Sequence, residues 1–501
     1  MPQIKNRIGV FLKSHWFILT LFSIFFLMRV YRLGARDFWF DEIGSLSYAE
    51  HPWQNWNAPF YWIILHLWTR LFGFSEFSLR LPSAIFNFLS VVFVYKMGKL
   101  MFNRQVAIFA AALIGLSSFQ LWYAQEARDY SAVLFFGTFS SYLLLRALNS
   151  KKIIWWISFA LFSLCGVYTN YFYLFLLFSQ LAYIFYSQED RILARQIVPF
   201  FIIFFGFSLY LNRFLEKFYF IGDGFWIPKP GWGAAAITFE NFILGYNGLP
   251  VFYPLVILAT ILVSLSALRS LNKGRGGNPA VAFCVFLFIL PLLAIFIFSR
   301  AFFSIYLNRC LILFSPYFYL FFSFGVFSLG KKTRFLTIAA MLVLTLAADL
   351  FYFSDRMFMG LDYHLGSYTK KPIKPLVKFL QENLAEKDLV AFTNDAVLGP
   401  ARYYSRVKLP EPLFFFDPKI PDSSWGRMIQ ENQFTIPYHK VEHLNFERLW
   451  VIYSGWERDG SLDENSLSVM KSLGMALKLE DRHLIDGSQV FVYRKSPAQG
   501  D

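Results

Sequence analysis

The chain has 501 residues, of which 56% are apolar, 21% aromatic and only 16% charged, well below the roughly 25% charged residues of soluble domains. With 63 Phe and a mean hydropathy of +0.44, the apolar residues cannot all be hidden in one aqueous core, which excludes an ordinary soluble protein. The net charge of +14 does not signal a nucleic-acid binder, because the basic residues recur as small clusters between apolar runs, the pattern of cytoplasmic loops.

In chain order, the N-terminus carries Lys5, Arg7 and Lys13 before an apolar run ending in Met28-Arg29-Val30-Tyr31-Arg32. No small-residue cleavage site follows, so this run is expected to stay as a first span. Runs long enough to cross a bilayer, about 20 residues each, lie near 15–31, 81–102, 105–123, 131–148, 153–169, 171–187, 196–213, 250–268, 280–298, 309–329 and 335–353, eleven in all. With the N-terminus cytoplasmic, every inner loop carries at least two basic residues: Lys96, Lys99 and Arg104; Arg146, Lys151 and Lys152; Arg191 and Arg195; Arg269, Lys273 and Arg275; Lys331, Lys332 and Arg334. Among the loops, the acidic residues sort outward, apart from Glu189 and Asp190. Cys165, Cys284 and Cys310 lie in apolar runs and read as buried small hydrophobes, without metal-ligand spacing.

Two outer loops are long. Loop 32–80 contains the stretch Pro59 to Phe74, too short for a span and expected to be an amphipathic helix lying in the interface. Loop 214–249 contains Phe225-Trp226-Ile227-Pro228, either an aromatic belt or a lid over a lipid-facing cavity. The transmembrane part is thus expected over 1–353. After it, over 354–501, charged residues and short β-rich runs (Asp388 to Thr393, Leu449 to Tyr453, Gln489 to Tyr493) alternate with helical stretches (Ile373 to Leu384, Asn465 to Leu473). That pattern predicts a soluble α/β domain on the outer face.

The chemistry-bearing residues cluster in the outer loops. In Phe38-Trp39-Phe40-Asp41-Glu42, two carboxylates stand among aromatic residues at a bilayer boundary. The stretch reads either as a helix cap or membrane-exit loop, or as a site of lowered dielectric suited to a general base or a metal ligand. Arg80, Arg128 and Arg309 sit at the outer rim against the positive-inside bias. Either structural ion pairs with Glu126 and Asp129 or an anionic ligand offsets them, and as a set they point to a phosphate. A carboxylate beside an outward-facing phosphate would take the proton of an acceptor hydroxyl as it attacks a sugar carbon, with arginine steadying the departing lipid phosphate. Asp41 and Glu42 are a candidate pair for a divalent ion, the one cofactor considered; His51 and His66 are isolated.

The ordered set Trp39-Phe40-Asp41-Glu42, Asn57-Ala58-Pro59-Phe60-Tyr61, Ser75-Glu76-Phe77-Ser78-Leu79-Arg80-Leu81-Pro82-Ser83 and Gln125-Glu126-Ala127-Arg128-Asp129-Tyr130 resembles the bacterial polyprenyl-phosphate-dependent glycosyltransferases of the GT-C fold. These are relatives of the protein O-mannosyltransferases and of the lipid A aminoarabinose transferase. The resemblance covers roughly 1–355 and implies an inverting transfer of one sugar from a polyprenyl-phosphate carrier to an acceptor lipid, glycan or protein. It implies Asp41 as the activating carboxylate, Glu42 as its support, and Arg128 and Arg309 near the carrier phosphate, where the charge argument also puts Arg80. Trp39, Tyr61, Glu126, Tyr130 and Trp226 are expected along the substrate and lipid groove. One departure stands out. Many relatives have His-Pro-Pro or Lys-Pro-Pro where this chain has Asn57-Ala58-Pro59, so the cationic or imidazole group at that place in the first loop is missing.

The expected whole is a polytopic enzyme of the bacterial inner membrane, N-terminus inside, C-terminal domain and site outside. Its partners are a lipid-linked sugar, an acceptor and membrane lipid, with no nucleic acid. Transfer of a whole glycan or phospho-group is an alternative. A flippase of lipid-linked sugars is another, but it calls for ionisable residues at mid-membrane and repeat symmetry, which the runs do not show.

Overall fold

The computed structural model describes residues 2–53, 57–150, 152–187, 194–222, 227–246, 253–269, 278–356, 370–405, 411–417, 435–455 and 461–495. Each of the eleven apolar runs falls on helix. In order these are α1 (Pro2–Val30), α4 (Glu76–Met101), α5 (Arg104–Leu116) with α6 (Ser118–Ala124), α7 (Tyr130–Leu148), α8 (Ile153–Val167), α9 (Tyr173–Ser187), α10 (Ala194–Ser208) with α11 (Leu211–Gly222), α13 (Tyr253–Leu268), α14 (Pro279–Ala301), α15 (Asn308–Leu311) with α16 (Ser315–Phe327), and α17 (Lys331–Phe353). The two long loops expected outside add α2 (Phe40–Glu50), α3 (Phe60–Phe72) and α12 (Trp232–Leu244). Among the described residues, five helices are long and apolar enough to cross a membrane, seven if two bent pairs each count once, and four shorter apolar helices accompany them. Apolar side chains such as Phe335, Val343 and Leu350 of α17 face outward, as a helix bathed in lipid requires. The protein is a multi-pass membrane protein.

Three expected spans are not continuous. The run 105–123 bends by 58° between α5 and α6, and α10 meets α11 at 72°. At the first break Ser117 leaves the helical region (φ −68°, ψ 119°) and its hydroxyl accepts the Gln120 N–H, starting a new helix. The run 309–329 is divided into α15, a 3-10 turn (Ile312–Phe314) and α16, because Pro316 in the first turn of α16 cannot donate to the preceding turn.

Packing divides the chain into two compact units. The first comprises Met1–Leu33, His51–Tyr219 and Ile227–Ser367. Its helices are stitched by buried polar groups, among them Arg29. The guanidinium donates to Asn87 Oδ1 (2.8 Å) on α4, to the carbonyls of Ile114 (3.2 Å) and Gly115 (3.0 Å) on α5, and to Phe25 O (2.9 Å) on its own helix. Gly115 permits this closeness, since an added Cβ would stand 2.6 Å from the Phe25 ring. Gln125, after α6, donates to the carbonyls of Arg29 (3.1 Å) and Tyr31 (2.8 Å) and accepts from the Tyr352 hydroxyl of α17 (2.8 Å). Buried polar groups without water are held this way or not at all.

The second unit comprises Tyr368–Asp501 together with Gly34–Glu50 and Phe220–Trp226. A six-stranded sheet runs β3 (Thr435–Pro437), β2 (Leu413–Phe416), β1 (Leu389–Phe392), β4 (Leu449–Tyr453), β6 (Ser488–Lys495), β5 (Leu477–Ile485). The first four pair in parallel and the last two are antiparallel. Side chains alternate between the faces. Val390, Phe392 and Ile452 pack with Leu376, Leu380 and Val397 of α18 (Lys374–Asn383) and α19 (Asp395–Ser405), whereas Ala391, Val451 and Tyr453 pack with Val469 and Leu473 of α20 (Glu464–Ala476). The strands expected at Asp388, Leu449 and Gln489 are β1, β4 and β6, within a helix-sheet-helix sandwich.

Candidate active site

In the membrane unit the turn between α6 and α7 carries Gln125-Glu126-Ala127-Arg128-Asp129, and Tyr130 opens α7. Arg309 lies in α15, about 180 residues further along the chain. The two meet at one ring: the guanidinium carbon of Arg128 is 5.6 Å from the centre of Tyr130 and that of Arg309 is 6.0 Å from it. Arg128 also lies 5.7 Å over Trp62 of α3. Tyr61 beside it is buried, and its hydroxyl bonds Ser83 Oγ (2.9 Å), which in turn donates to the Arg128 carbonyl (3.1 Å). Glu126 is buried, and both it and Arg309 are within electrostatic reach of Tyr123. Asp129 receives the Asn170 amide at 2.8 Å. The predicted Tyr61, Glu126, Arg128, Tyr130 and Arg309 are therefore brought together. Two half-exposed arginines over one ring repel each other unless an anion lies close.

Arg80 is placed differently. It is buried in α4, and its guanidinium donates to Leu33 O at 3.0 Å, so part of its hydrogen-bonding capacity holds the exit of α1. Trp226 lies outside the described residues.

The sequence reading missed Lys217. From α11 its ammonium hydrogen-bonds Asn57 Oδ1, the position where the first loop lacks a cation. It lies 5.6 Å over the Tyr171 ring and feels the charges of Asp129 and Arg128. A lysine in a helix with Arg213 and Glu216 carries no signal of its own; only the pairing through space reveals it.

The carboxylates Asp41 and Glu42 occupy the first turn of α2, where the helix dipole favours negative charge. This helix belongs to the second unit. Glu42 is buried and its carboxylate accepts the Trp39 N–H at 3.4 Å, closing the helix start, while Asp41 is half-exposed and its carbonyl receives the Ser45 hydroxyl (3.0 Å). The Trp39 indole N–H is buried with no acceptor among the described residues. Buried donors rarely stay unpaired, so this one is suited to a ligand oxygen. Asp395, first residue of α19, is close enough to sense Asp41; burial pushes its carboxyl up to about 7, with the charges of Asp463 and then Asp41 adding to the effect. Among the described residues no three His, Cys, Asp or Glu side chains gather to hold a metal ion.

Residues 51–212 match the family described as dolichyl-phosphate-mannose-protein mannosyltransferase. No curated protein matches the chain by sequence. Among solved structures, ArnT from Cupriavidus metallidurans bound to undecaprenyl phosphate aligns over 96% of this chain and 98% of its own, with a TM-score of 0.63 and 12% identity. The chain has the GT-C glycosyltransferase fold. The apo form of the same ArnT aligns with equal coverage and TM-score at 11% identity. The oligosaccharyltransferase AglB from Archaeoglobus fulgidus covers 98% of this chain and 75% of its own at a TM-score of only 0.44 and 11% identity, too loose to argue from. The resemblance to the GT-C polyprenyl-phosphate glycosyltransferases read from the motifs is borne out by the family match and by the fold.

Proposed function

We propose that this protein moves a single sugar from a polyprenyl-phosphate carrier to an acceptor hydroxyl on the outer face of a bacterial inner membrane, with inversion. The observation that carries the reading is the convergence of Arg128 and Arg309 on Tyr130. Lys217 stands within electrostatic reach of Arg128 and Asp129, and such a gathering of cations suits the phosphate of a lipid carrier. That ArnT is described as bound to undecaprenyl phosphate supports the choice of ligand. Asp41 then takes the proton of the acceptor hydroxyl as its oxygen attacks the anomeric carbon. The bond from that carbon to the phosphate oxygen breaks in the same displacement, which inverts the centre. The electron pair leaves with the phosphate, where arginine donors are strongest. Glu42 holds the helix turn that presents Asp41.

The test compares wild type with Asp41→Asn in detergent, using radiolabelled polyprenyl-phosphate sugar and a membrane extract as acceptor. General-base catalysis is worth about 10²–10⁴-fold. Label should therefore reach the acceptor with wild type and fall by at least about 10²-fold with Asp41→Asn, while carrier binding is kept. Normal transfer by Asp41→Asn would remove Asp41 from the chemistry.

A further inference from the structure

The helix that bears Asp41 is held by residues of the C-terminal domain. Asp37, just before α2, accepts the backbone N–H groups of Ile373 (2.8 Å) and Lys374 (2.9 Å) at the start of α18, and the Lys374 ammonium approaches its carboxylate at 3.4 Å. An acidic side chain from 336 residues away thus serves as the anion at that helix N-terminus. The next residue, Phe38, donates its N–H to the Tyr404 hydroxyl (2.7 Å) on α19, with its ring edge-on to Tyr403 (5.5 Å) and stacked on Tyr404 (6.4 Å). Lys370 lies 5.9 Å over Trp39. Successive residues 37, 38 and 39 are each gripped by a different residue group of the C-terminal domain, and α2 begins at residue 40. The phosphate cluster, by contrast, is built from α3, α11, α15 and the turn before α7.

We propose that the C-terminal domain is the frame that positions the carboxylate helix, with Asp37 and Tyr404 as its positioning residues. The proposal rests on Asp41 being the base. A base must stand within hydrogen-bond reach of its proton, and a misplacement of about 1 Å costs about a hundredfold in rate. The clamp therefore governs turnover and leaves carrier affinity alone.

The full-length protein is assayed as wild type, Asp37→Ala, Tyr404→Phe and the double variant. Arg494→Ala, which breaks an exposed pair with Glu480, is the control. Turnover, carrier affinity and amide exchange are measured on each. We expect each single variant to lower kcat about tenfold and the double about a hundredfold. Carrier Kd should stay within about twofold, and amides of α2 should exchange faster while those of α4 and α7 do not. If Asp37→Ala also opens β1 and β4, Tyr404→Phe decides, since it removes one hydroxyl and keeps both rings. Unchanged turnover in the variants, or carrier affinity lost in step with turnover, overturns the proposal. The two readings fail separately: an inert Asp41→Asn with unaffected clamp variants sinks the frame alone, whereas an active Asp41→Asn sinks the base.

Discussion

Arg128 and Arg309 share one aromatic ring, and in the proposed reading both grip the carrier phosphate. Hydrogen bonds to charged groups contribute about 1.5–3 kcal/mol, so Arg309→Ala should weaken carrier binding about tenfold to a hundredfold, measured by titration of polyprenyl phosphate. Lys217 offers a sharper test. Lys217→Asn should weaken carrier binding, and adding Asn57→Lys in that background should restore much of it, because the two side chains touch and a cation would again occupy that place. If the second change leaves binding as poor as the first, the ammonium acts elsewhere. Trp39→Phe removes the unpaired indole N–H and keeps most of the ring, so it should raise the KM for acceptor without changing carrier Kd. Arg128 and Arg309 stood out in the sequence because arginines in loops expected on the outer side defy the charge bias. Lys217 did not, since nothing in its own neighbourhood in the chain marks it.

Among the helices, length was legible and shape was not. Hydropathy counts apolar residues, and the runs 105–123 and 309–329 are apolar across their breaks; the kinks depend on the backbone at Ser117 and on the ring of Pro316. In the C-terminal domain the buried strands β1, β4 and β6 announced themselves. Strands β2 and β3 have only four and three residues, β5 is mostly exposed and charged, and α19 contains Gly399 and Pro400, which read as breakers. Tight helix contacts are likewise silent in sequence. An added Cβ at Gly325 of α16 would stand 2.4 Å from the Val263 carbonyl oxygen of α13, which cannot rotate away. Gly325→Ala should destabilise by about 1–3 kcal/mol, seen as a lower melting temperature in detergent. Gly474→Ala, inside α20 with open space around it, should stabilise by about 0.5–1 kcal/mol.

For the molecule as a whole, two carboxyls of the C-terminal domain pull stability in opposite directions with pH. Burial opposes ionisation of Asp388, but the Arg448 pair (2.6 Å) and the Ala385 N–H and Trp450 indole donors hold its carboxyl below the usual range. Its contribution is present above the unfolded carboxylate range near 3.9 and fades as pH falls through the lower folded value. Asp395, lifted to about 7, binds a proton in the folded chain where the unfolded chain has released it, so its effect is a loss of stability as pH rises from about 4 to about 7. Asp395→Asn should therefore raise the melting temperature at pH 8 and leave it nearly unchanged at pH 4. An equal shift at both values would contradict the assignment.

The bond from Ile373 to Asp37 spans 336 residues, and this distance has a consequence for biosynthesis. Chains emerge N-terminus first, so the carboxylate helix leaves the ribosome among the earliest segments and waits for its holder. Strand β6, which completes the sheet beside β4, comes from the last residues of the domain. A nascent chain can insert its apolar helices and bring Arg128 and Arg309 together long before α2 is seated. On the proposed reading, transfer waits until residues 370–404 have been made and folded against Asp37, Phe38 and Trp39, and a chain halted before them would bind carrier and transfer nothing.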